Sequence, residues 1–149
     1  MFLTFIINSI LVSIAVLIHY EALKILSEVI PKLKVEHRLR VLFGFFGALL
    51  AHIIEIWLFA FAYYFKIRSG YFGTLIGNSE NSLMDCSYYS FTNYTSLGIG
   101  DIEPTGDLRF LTGLEALTGL LLIAWTASFM YLEMQKLWTC CRRKECTFQ

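Results

Sequence analysis

The sequence predicts an all-α membrane protein, with three spanning helices and a shorter helix that enters the membrane and returns. Apolar residues make up 56% of the 149 positions and charged residues 16%, a balance typical of membrane chains. The apolar residues form three long blocks, each close to the roughly 20 residues that a helix needs to cross about 30 Å of hydrocarbon. A fourth apolar stretch is too short to cross, so we expect it to be re-entrant and shielded by protein.

The first block, residues 2–18, has no ionisable side chain. We interpret it as a retained spanning helix and not a cleaved secretory signal, because no basic region precedes it and no small-residue cleavage site follows it. Residues 20–40 combine apolar positions along one face with charged residues and a break at Pro31. This pattern predicts an amphipathic helix at the cytoplasmic interface or a cytoplasmic helical hairpin. Residues 1–40 therefore form the predicted N-terminal unit.

The second block predicts an outer spanning helix over residues 41–66, interrupted by His52 and Glu55. These two residues stand three positions apart and therefore share a helix face. Two ligands are too few for a tetrahedral metal cage. We therefore expect a polar pair that faces the interior of the helix bundle.

A polar, glycine-rich run separates the outer helix from a short helix predicted over residues 82–95. Asn81 and Ser82 are its candidate caps, and Asp85 lies at the positive end of the helix dipole. Cys86 falls inside this helix, where we expect it to serve packing. The helix is the re-entrant element of the fold class.

The third block predicts an inner spanning helix over residues 108–138, in which Glu115 is the only acidic or basic residue between positions 110 and 132. A short tail, residues 139–149, follows it. The tail contains three cysteines, for which we expect free thiols in a reducing cytoplasm, with metal binding or lipid attachment as the alternatives. These cysteines are Cys140, Cys141 and Cys146.

Lysine and arginine residues set the predicted orientation. They are concentrated between the first two blocks and after the third, whereas residues 66–109 carry few. The positive-inside rule therefore predicts a multi-pass protein of the cell membrane, with the N-terminus and residues 66–109 outside and the C-terminus in the cytoplasm. The formal net charge is zero, so we expect the lipid bilayer, and no nucleic acid, as a partner.

Residues 95–101 read TSLGIGD, with glycine at two alternate positions, Gly98 and Gly100. Glycine permits backbone conformations that a Cβ forbids, so successive carbonyl oxygens can turn toward one side. Several copies around an axis would stack such oxygens into rings that replace the water around a dehydrated cation. The preceding helix would point its partially negative C-terminus at that axis. The motif is therefore typical of an ion filter.

The stretch YYSFTNYTSLGIGDIEPTGDLRFLTGLEALTGLLLIAW resembles the pore loop and inner helix of potassium channels, whose filter usually reads T-V-G-Y-G-D. The resemblance covers about residues 41–138 at the level of elements. It implies a small pore-loop potassium channel of the two-transmembrane type, in the tetrameric cation channel superfamily, with an extra N-terminal helix. It also implies a homotetramer, so the partners are three further copies of the chain, with K⁺ as the permeant ion and no cofactor.

The resemblance also implies roles for single residues, with residues 82–95 as the pore helix and residues 95–101 as the filter. K⁺ would be held by the carbonyl oxygens of residues 96–99 and by the Ser96 hydroxyl at the inner mouth of the filter. Gly119 stands where relatives have a gating hinge, and close helix packing explains a glycine there equally well. The implied supporting residues are Asp101, Tyr94 and Glu115. The implied ion-binding residues are Thr95, Ser96, Leu97, Gly98, Ile99 and Gly100, of which Ser96, Leu97, Gly98 and Ile99 bind K⁺.

Departures from the family pattern include Ile99 in place of the usual tyrosine and Ser96 in place of the usual threonine. A non-selective cation channel and a non-conducting accessory membrane subunit therefore stay open as alternatives to a potassium-selective channel. Residues 98–101 also match the G-x-G-D motif of intramembrane aspartyl proteases. Catalysis there needs two carboxylates within spanning helices, and Asp85 and Asp107 lie outside the apolar blocks. We therefore expect no enzymatic activity.

Overall fold

The computed structural model describes residues 2–33 and 35–145 and is 78% helical. Three of its helices are long and apolar enough to cross a membrane. The chain is therefore an all-α membrane protein, as the sequence predicts. In chain order its elements are α1 (Phe2–Val29), a 3-10 turn (Ile30–Lys32), α2 (His37–Ser69), β1 (Leu75–Gly77), α3 (Leu83–Tyr94), β2 (Ile102–Pro104) and α4 (Leu108–Glu145).

The connection between α1 and α2 is short, so the two helices form a hairpin that turns beside Pro31. The described part of residues 20–40 forms no separate interfacial helix, since α1 continues to Val29 and α2 already begins at His37. Of the two predicted forms, the helical hairpin is the one present. The apolar face that predicted an interfacial position is buried between the two helices instead. This buried cluster consists of Leu23, Leu26, Ile30 and Ala48.

Polar side chains tie the N-terminal part of α1 to the rest of the bundle. Thr4 Oγ1 donates a hydrogen bond to Asp107 Oδ2 over 2.7 Å, just before α4 begins. About one turn further along α1, Lys66 of α2 donates to Asn8 Oδ1. In lipid, polar groups gain most from partners inside the protein. These two pairs therefore fix the rotation of α1 against α2 and α4.

A reciprocal capping box begins α3. Ser82 Oγ accepts a hydrogen bond from the Asp85 N–H over 3.1 Å, and the Asp85 carboxylate accepts one from the Ser82 N–H over 3.1 Å. The second bond is the main reason why the pKa of Asp85 lies below its usual range. The helix spans Leu83–Tyr94, and Thr95 follows it as the C-cap. The predicted range of 82–95 thus covers the helix and both of its caps.

A two-stranded antiparallel sheet joins the glycine-rich run before α3 to the segment after the glycine motif. The sheet needs close backbone approach, because a Cβ at Gly77 would lie 2.3 Å from the Asp101 carbonyl oxygen. Gly77 also has a φ of 104°, a conformation that favours glycine. The sequence analysis did not predict this sheet. Its register pairs Leu75 with Pro104, Ile76 with Glu103 and Gly77 with Ile102.

The main core lies where α2, α3 and α4 meet, and α1 contributes Ala15. Cys86 is fully buried there, which confirms its predicted packing role. The predictions for Cys140, Cys141 and Cys146 concern side chains that lie outside the described residues. The largest fully buried apolar and aromatic side chains of this core are Phe59, Tyr63, Tyr94, Leu75, Leu108 and Leu111.

Large apolar side chains also cover the outer faces of the three long helices. Phe46 is 62% exposed on α2, and Leu121 is 61% exposed on α4. A water-soluble monomer rarely exposes so many large apolar groups together, whereas lipid or neighbouring subunits accommodate them. This surface agrees with a bundle whose helices span a membrane.

We expect Gly119→Ala to destabilise the protein, whereas Gly113→Ala should leave its stability unchanged or raise it slightly. A Cβ at Gly119 would lie 2.2 Å from the Tyr94 carbonyl oxygen, while a Cβ at Gly113 meets no atom within 4 Å. Both replacements gain about 1 kcal/mol of helix propensity, so they differ in the contact alone. Overpacking should cost Gly119→Ala about 1–3 kcal/mol, measured by unfolding in mixed micelles. Equal stability of the two variants would contradict this helix contact.

Candidate functional site

The glycine motif, residues 95–101, forms an exposed loop directly after α3. Three residues in it have positive φ, namely Ser96 at 57°, Gly98 at 52° and Gly100 at 84°. Leu97 and Ile99, between them, are not among the positive-φ residues. A backbone that alternates between left-handed and right-handed conformations turns its peptide groups to a common side. The alternation is the local conformation that the two glycines permit.

Hydrogen bonds within the loop involve its N–H groups. The Leu97 and Gly98 N–H groups both donate to the Thr92 carbonyl oxygen of α3, over 2.8 and 3.0 Å, and the Ser96 N–H donates to Asn93. Within the described residues, the carbonyl oxygens of residues 95–100 accept no hydrogen bond. The loop is therefore attached to α3 through its donors, and its acceptors are left for another ligand.

Thr95 contributes differently from the residues that follow it. Its hydroxyl donates to the Phe91 carbonyl oxygen over 2.8 Å, one turn back in α3. The Thr95 side chain therefore caps the last turn of α3. Its carbonyl oxygen, like those of residues 96–100, accepts no hydrogen bond within the described residues.

Tyr94, the last residue of α3, is buried to 1% exposure and holds the helix end against α2. Its hydroxyl donates to Glu55 Oε2 and lies 2.8 Å from His52 Nδ1. Glu55 is fully buried, so the prediction that His52 and Glu55 face the bundle interior is confirmed. Tyr94 thus acts on the loop indirectly, by fixing the helix end from which the loop starts.

Glu115 of α4 binds the same helix one turn earlier. Ser90 of α3 donates to Glu115 Oε1, and Tyr63 of α2 donates to Glu115 Oε2 over 2.6 Å. The carboxyl is fully buried, and a buried carboxyl without such partners would be costly. Glu115 therefore connects α4 to α3 and α2 through buried hydrogen bonds, one turn before the end of α3.

Asp101 closes the loop from its far end. Tyr88 of α3 donates to Asp101 Oδ2 over 3.0 Å, and the Asp101 carbonyl accepts the Asn78 N–H over 3.0 Å. The carboxylate thus braces the loop against α3, and its carbonyl connects it to the sheet. The other two aspartates bind elsewhere, since Asp85 caps α3 and Asp107 accepts from Thr4. This distribution argues against an aspartyl protease, which needs two carboxylates at one site.

Gly119 touches α3 directly, because its backbone lies against the Tyr94 carbonyl. α4 runs as one α-helix from Leu108 to Glu145, through this position. Close contact between helices accounts for the glycine in this conformation. Whether α4 also bends there during gating stays a prediction.

Sequence reasoning missed one buried polar residue beside this site, His19 of α1. Its Nδ1 lies 2.9 Å from Glu55 Oε1, and its Nε2 lies 3.2 Å from Thr126 Oγ1 of α4. The only signal in the sequence is a histidine directly after an apolar block. Its partners are 36 and 107 residues away, and no local spacing connects them.

The fold and the site define a membrane protein of the pore-loop type, in which two long helices flank a short helix and a glycine-containing loop. A family model described as "Ion channel" matches residues 51–136, which is more than half of the chain. The chain belongs to this ion channel family. Neither the comparison with curated proteins nor that with solved structures gives a match.

We expect Tyr63→Phe to destabilise the protein by about 1–3 kcal/mol, because it leaves one oxygen of the buried Glu115 without its donor. Tyr64→Phe is the matched control, since within the described residues the neighbouring hydroxyl makes no hydrogen bond. The measurement is the unfolding free energy in mixed micelles, with each variant compared with the unaltered chain. The assignment of the Tyr63–Glu115 contact fails if both variants lose the same stability.

Proposed function

We propose that four copies of this chain form a potassium-selective channel in the cell membrane, which conducts ions passively through backbone carbonyls. The observation that carries this proposal is the loop of residues 95–101, with its alternating φ signs and with the carbonyl oxygens of residues 95–100, which accept no hydrogen bond within the described residues. One such loop cannot surround an ion. Cyclic symmetry supplies the remaining ligands, and four is the number in the channels that the motif resembles.

In this proposal, K⁺ binds to the carbonyl oxygens of Ser96, Leu97, Gly98 and Ile99, with the Ser96 hydroxyl at the inner mouth. These oxygens replace the hydration shell of the ion. The C-terminal end of α3 adds partial negative charge below them. Family membership supports ion conduction, and the contacts of Tyr94, Glu115 and Asp101 support a rigid placement of the loop. Orientation follows the lysine and arginine distribution, with residues 66–109 outside.

Reconstitution in liposomes tests this function against its alternatives. Purified chain is placed in vesicles loaded with K⁺ or with Na⁺, and efflux is followed with a protonophore and a pH-sensitive dye. We expect K⁺ efflux that exceeds Na⁺ efflux. Equal efflux of both ions would favour the non-selective cation channel. Absence of efflux, in protein that remains assembled, would favour the accessory subunit.

We expect Gly98→Ala to abolish K⁺ efflux while Gly70→Ala conducts normally. Both glycines have positive φ and open space where a Cβ would stand, so both variants carry a similar backbone strain of about 1–2 kcal/mol. Gly70 caps α2 outside the loop, which makes it a control for strain and for expression. Normal efflux through the Gly98→Ala protein would show that this loop is not the conducting filter.

Ile99→Tyr should keep K⁺ efflux intact and lower the ratio of Na⁺ to K⁺ efflux. Ile99 is 56% exposed in the single chain and has no polar atom in its side chain, whereas a phenol can bond to surrounding groups and stiffen the ring of carbonyls. Leu97→Tyr, at the other exposed apolar position of the loop, is the matched control. An unchanged ratio in the Ile99→Tyr protein would show that Ile99 does not limit selectivity.

A further inference from the structure

Three potential metal ligands meet inside the bundle, behind the end of α3. They are His19 from α1 and the pair His52 and Glu55 from α2, and one ligand atom from each lies within 4.8 Å of the others. His19 Nδ1 is 2.9 Å from Glu55 Oε1, and His52 Nδ1 is 3.3 Å from Glu55 Oε2. The side chains of His19 and Glu55 are fully buried, and that of His52 is 14% exposed. This group is called the His-His-Glu centre below.

Five hydrogen-bond contacts connect these residues with Tyr94 and Thr126 in a closed ring. His19 contacts Glu55 and Thr126, His52 contacts Tyr94 and Thr126, and Tyr94 contacts Glu55. Two imidazoles and a carboxylate, the ligand types that zinc and similar transition metals bind, thus meet at one largely buried point between α1 and α2. Tyr94 and Thr126 hold these ligands in place through their hydrogen bonds.

A metal ion bound to these residues would leave the Thr126 contacts and the Tyr94–Glu55 hydrogen bond in place. With the ion on both Nδ1 atoms and on the carboxylate, each imidazole has its hydrogen on Nε2. The two Nε2 atoms lie 3.2 and 3.0 Å from Thr126 Oγ1, whose two lone pairs can accept both N–H groups. Tyr94 still donates to Glu55 Oε2. Metal-binding histidines commonly donate their second N–H to such an acceptor.

The distances also suit a small tetrahedral ion. Zn–N and Zn–O bonds of about 2.0–2.2 Å place neighbouring ligand atoms roughly 3.3–3.5 Å apart. The two nitrogen-to-oxygen separations in the centre, 2.9 Å to Glu55 Oε1 and 3.3 Å to Glu55 Oε2, are close to this spacing, and one ligand atom from each residue lies within 4.8 Å of the others. Two imidazoles and one carboxylate favour zinc and similar transition metals, whereas Ca²⁺ requires six to eight oxygen ligands.

We propose that His19, His52 and Glu55 bind one divalent transition metal ion per chain, preferably zinc. The bound ion would cross-link α1 to α2 beside the C-terminal end of α3. The three protein ligands leave a fourth coordination position for water. The metal would make α1 a structural part of the pore assembly. This inference does not require conduction, because its readout is metal binding.

The test measures zinc bound to the purified full-length chain by equilibrium dialysis and elemental mass spectrometry. All variants share a background in which the third histidine and the three cysteines of the tail are replaced, namely His37→Gln, Cys140→Ser, Cys141→Ser and Cys146→Ser, while Cys86 stays buried in the core. We expect this background to retain one zinc per chain. His19→Gln should weaken zinc binding by about 100-fold or more, and Thr126→Val by about 10–100-fold, since it removes only the supporting acceptor.

A second readout covers the case in which His19→Gln fails to fold. Co²⁺ bound to the background protein should show the intense visible absorption of four-coordinate cobalt, which requires no ligand variant. The melting temperature of the background protein should also rise with zinc, because a ligand that binds only the folded state stabilises it. The proposal is wrong if the background protein binds no zinc or if His19→Gln leaves the zinc affinity unchanged. It is also wrong if bound Co²⁺ shows the weak spectrum of six-coordinate cobalt.

Discussion

Buried hydrogen bonds at the C-terminal end of α3 are the constraint on which the rest of this structure depends. A short helix that enters a membrane without crossing it cannot satisfy its polar side chains with water. Ser90 and Tyr94, one turn apart on α3, meet this requirement through two carboxyl groups, Glu115 on α4 and Glu55 on α2. Helix α4 thus holds α3 at Ser90, and α2 holds it at Tyr94. Loss of Ser90 or Tyr94 takes one hydrogen-bond donor from a fully buried carboxyl group, which is why these contacts are costly to break.

The position of the glycine loop follows from this anchoring. The loop starts at the fixed end of α3, its N–H groups return to Thr92, and its far end is tied to Tyr88 through Asp101. Both ends of the loop are therefore attached to one short helix. Gly119 lets α4 approach the Tyr94 carbonyl, so the two long helices and the loop form one packed unit. Such attachment would hold the carbonyl oxygens of the loop in fixed positions in the proposed channel.

The elements that sequence reasoning predicted well are those set by length and local chemistry. Uninterrupted apolar blocks define the spanning helices, and Ser82 with Asp85 marks the start of α3 because a capping box is a local contact. The continuation of α1 to Val29 could not be distinguished from a separate interfacial helix, since a face that buries against α2 has the same pattern as one that lies on a membrane. The sheet escaped notice because three-residue strands are too short to show an alternating pattern.

The candidate site divides in the same way. Residues 95–101 were identified from a motif, because glycine at alternate positions has a direct conformational meaning. For Glu115 and Glu55 the sequence predicts only that each finds a polar partner inside the bundle. It does not identify Ser90 and Tyr94 as these partners, because they lie on a different helix. His19 could not be found at all, because its contacts span 36 and 107 residues. Tertiary packing alone brings it to Glu55 and Thr126.

An electron cryomicroscopy map of the purified chain in lipid nanodiscs, prepared in potassium salt, tests the central claim most directly. The account predicts four copies around one axis, with density for dehydrated ions on that axis between the carbonyl oxygens of residues 96–99. A map in which these oxygens face away from a shared axis, or in which the copies enclose no continuous path, would contradict it.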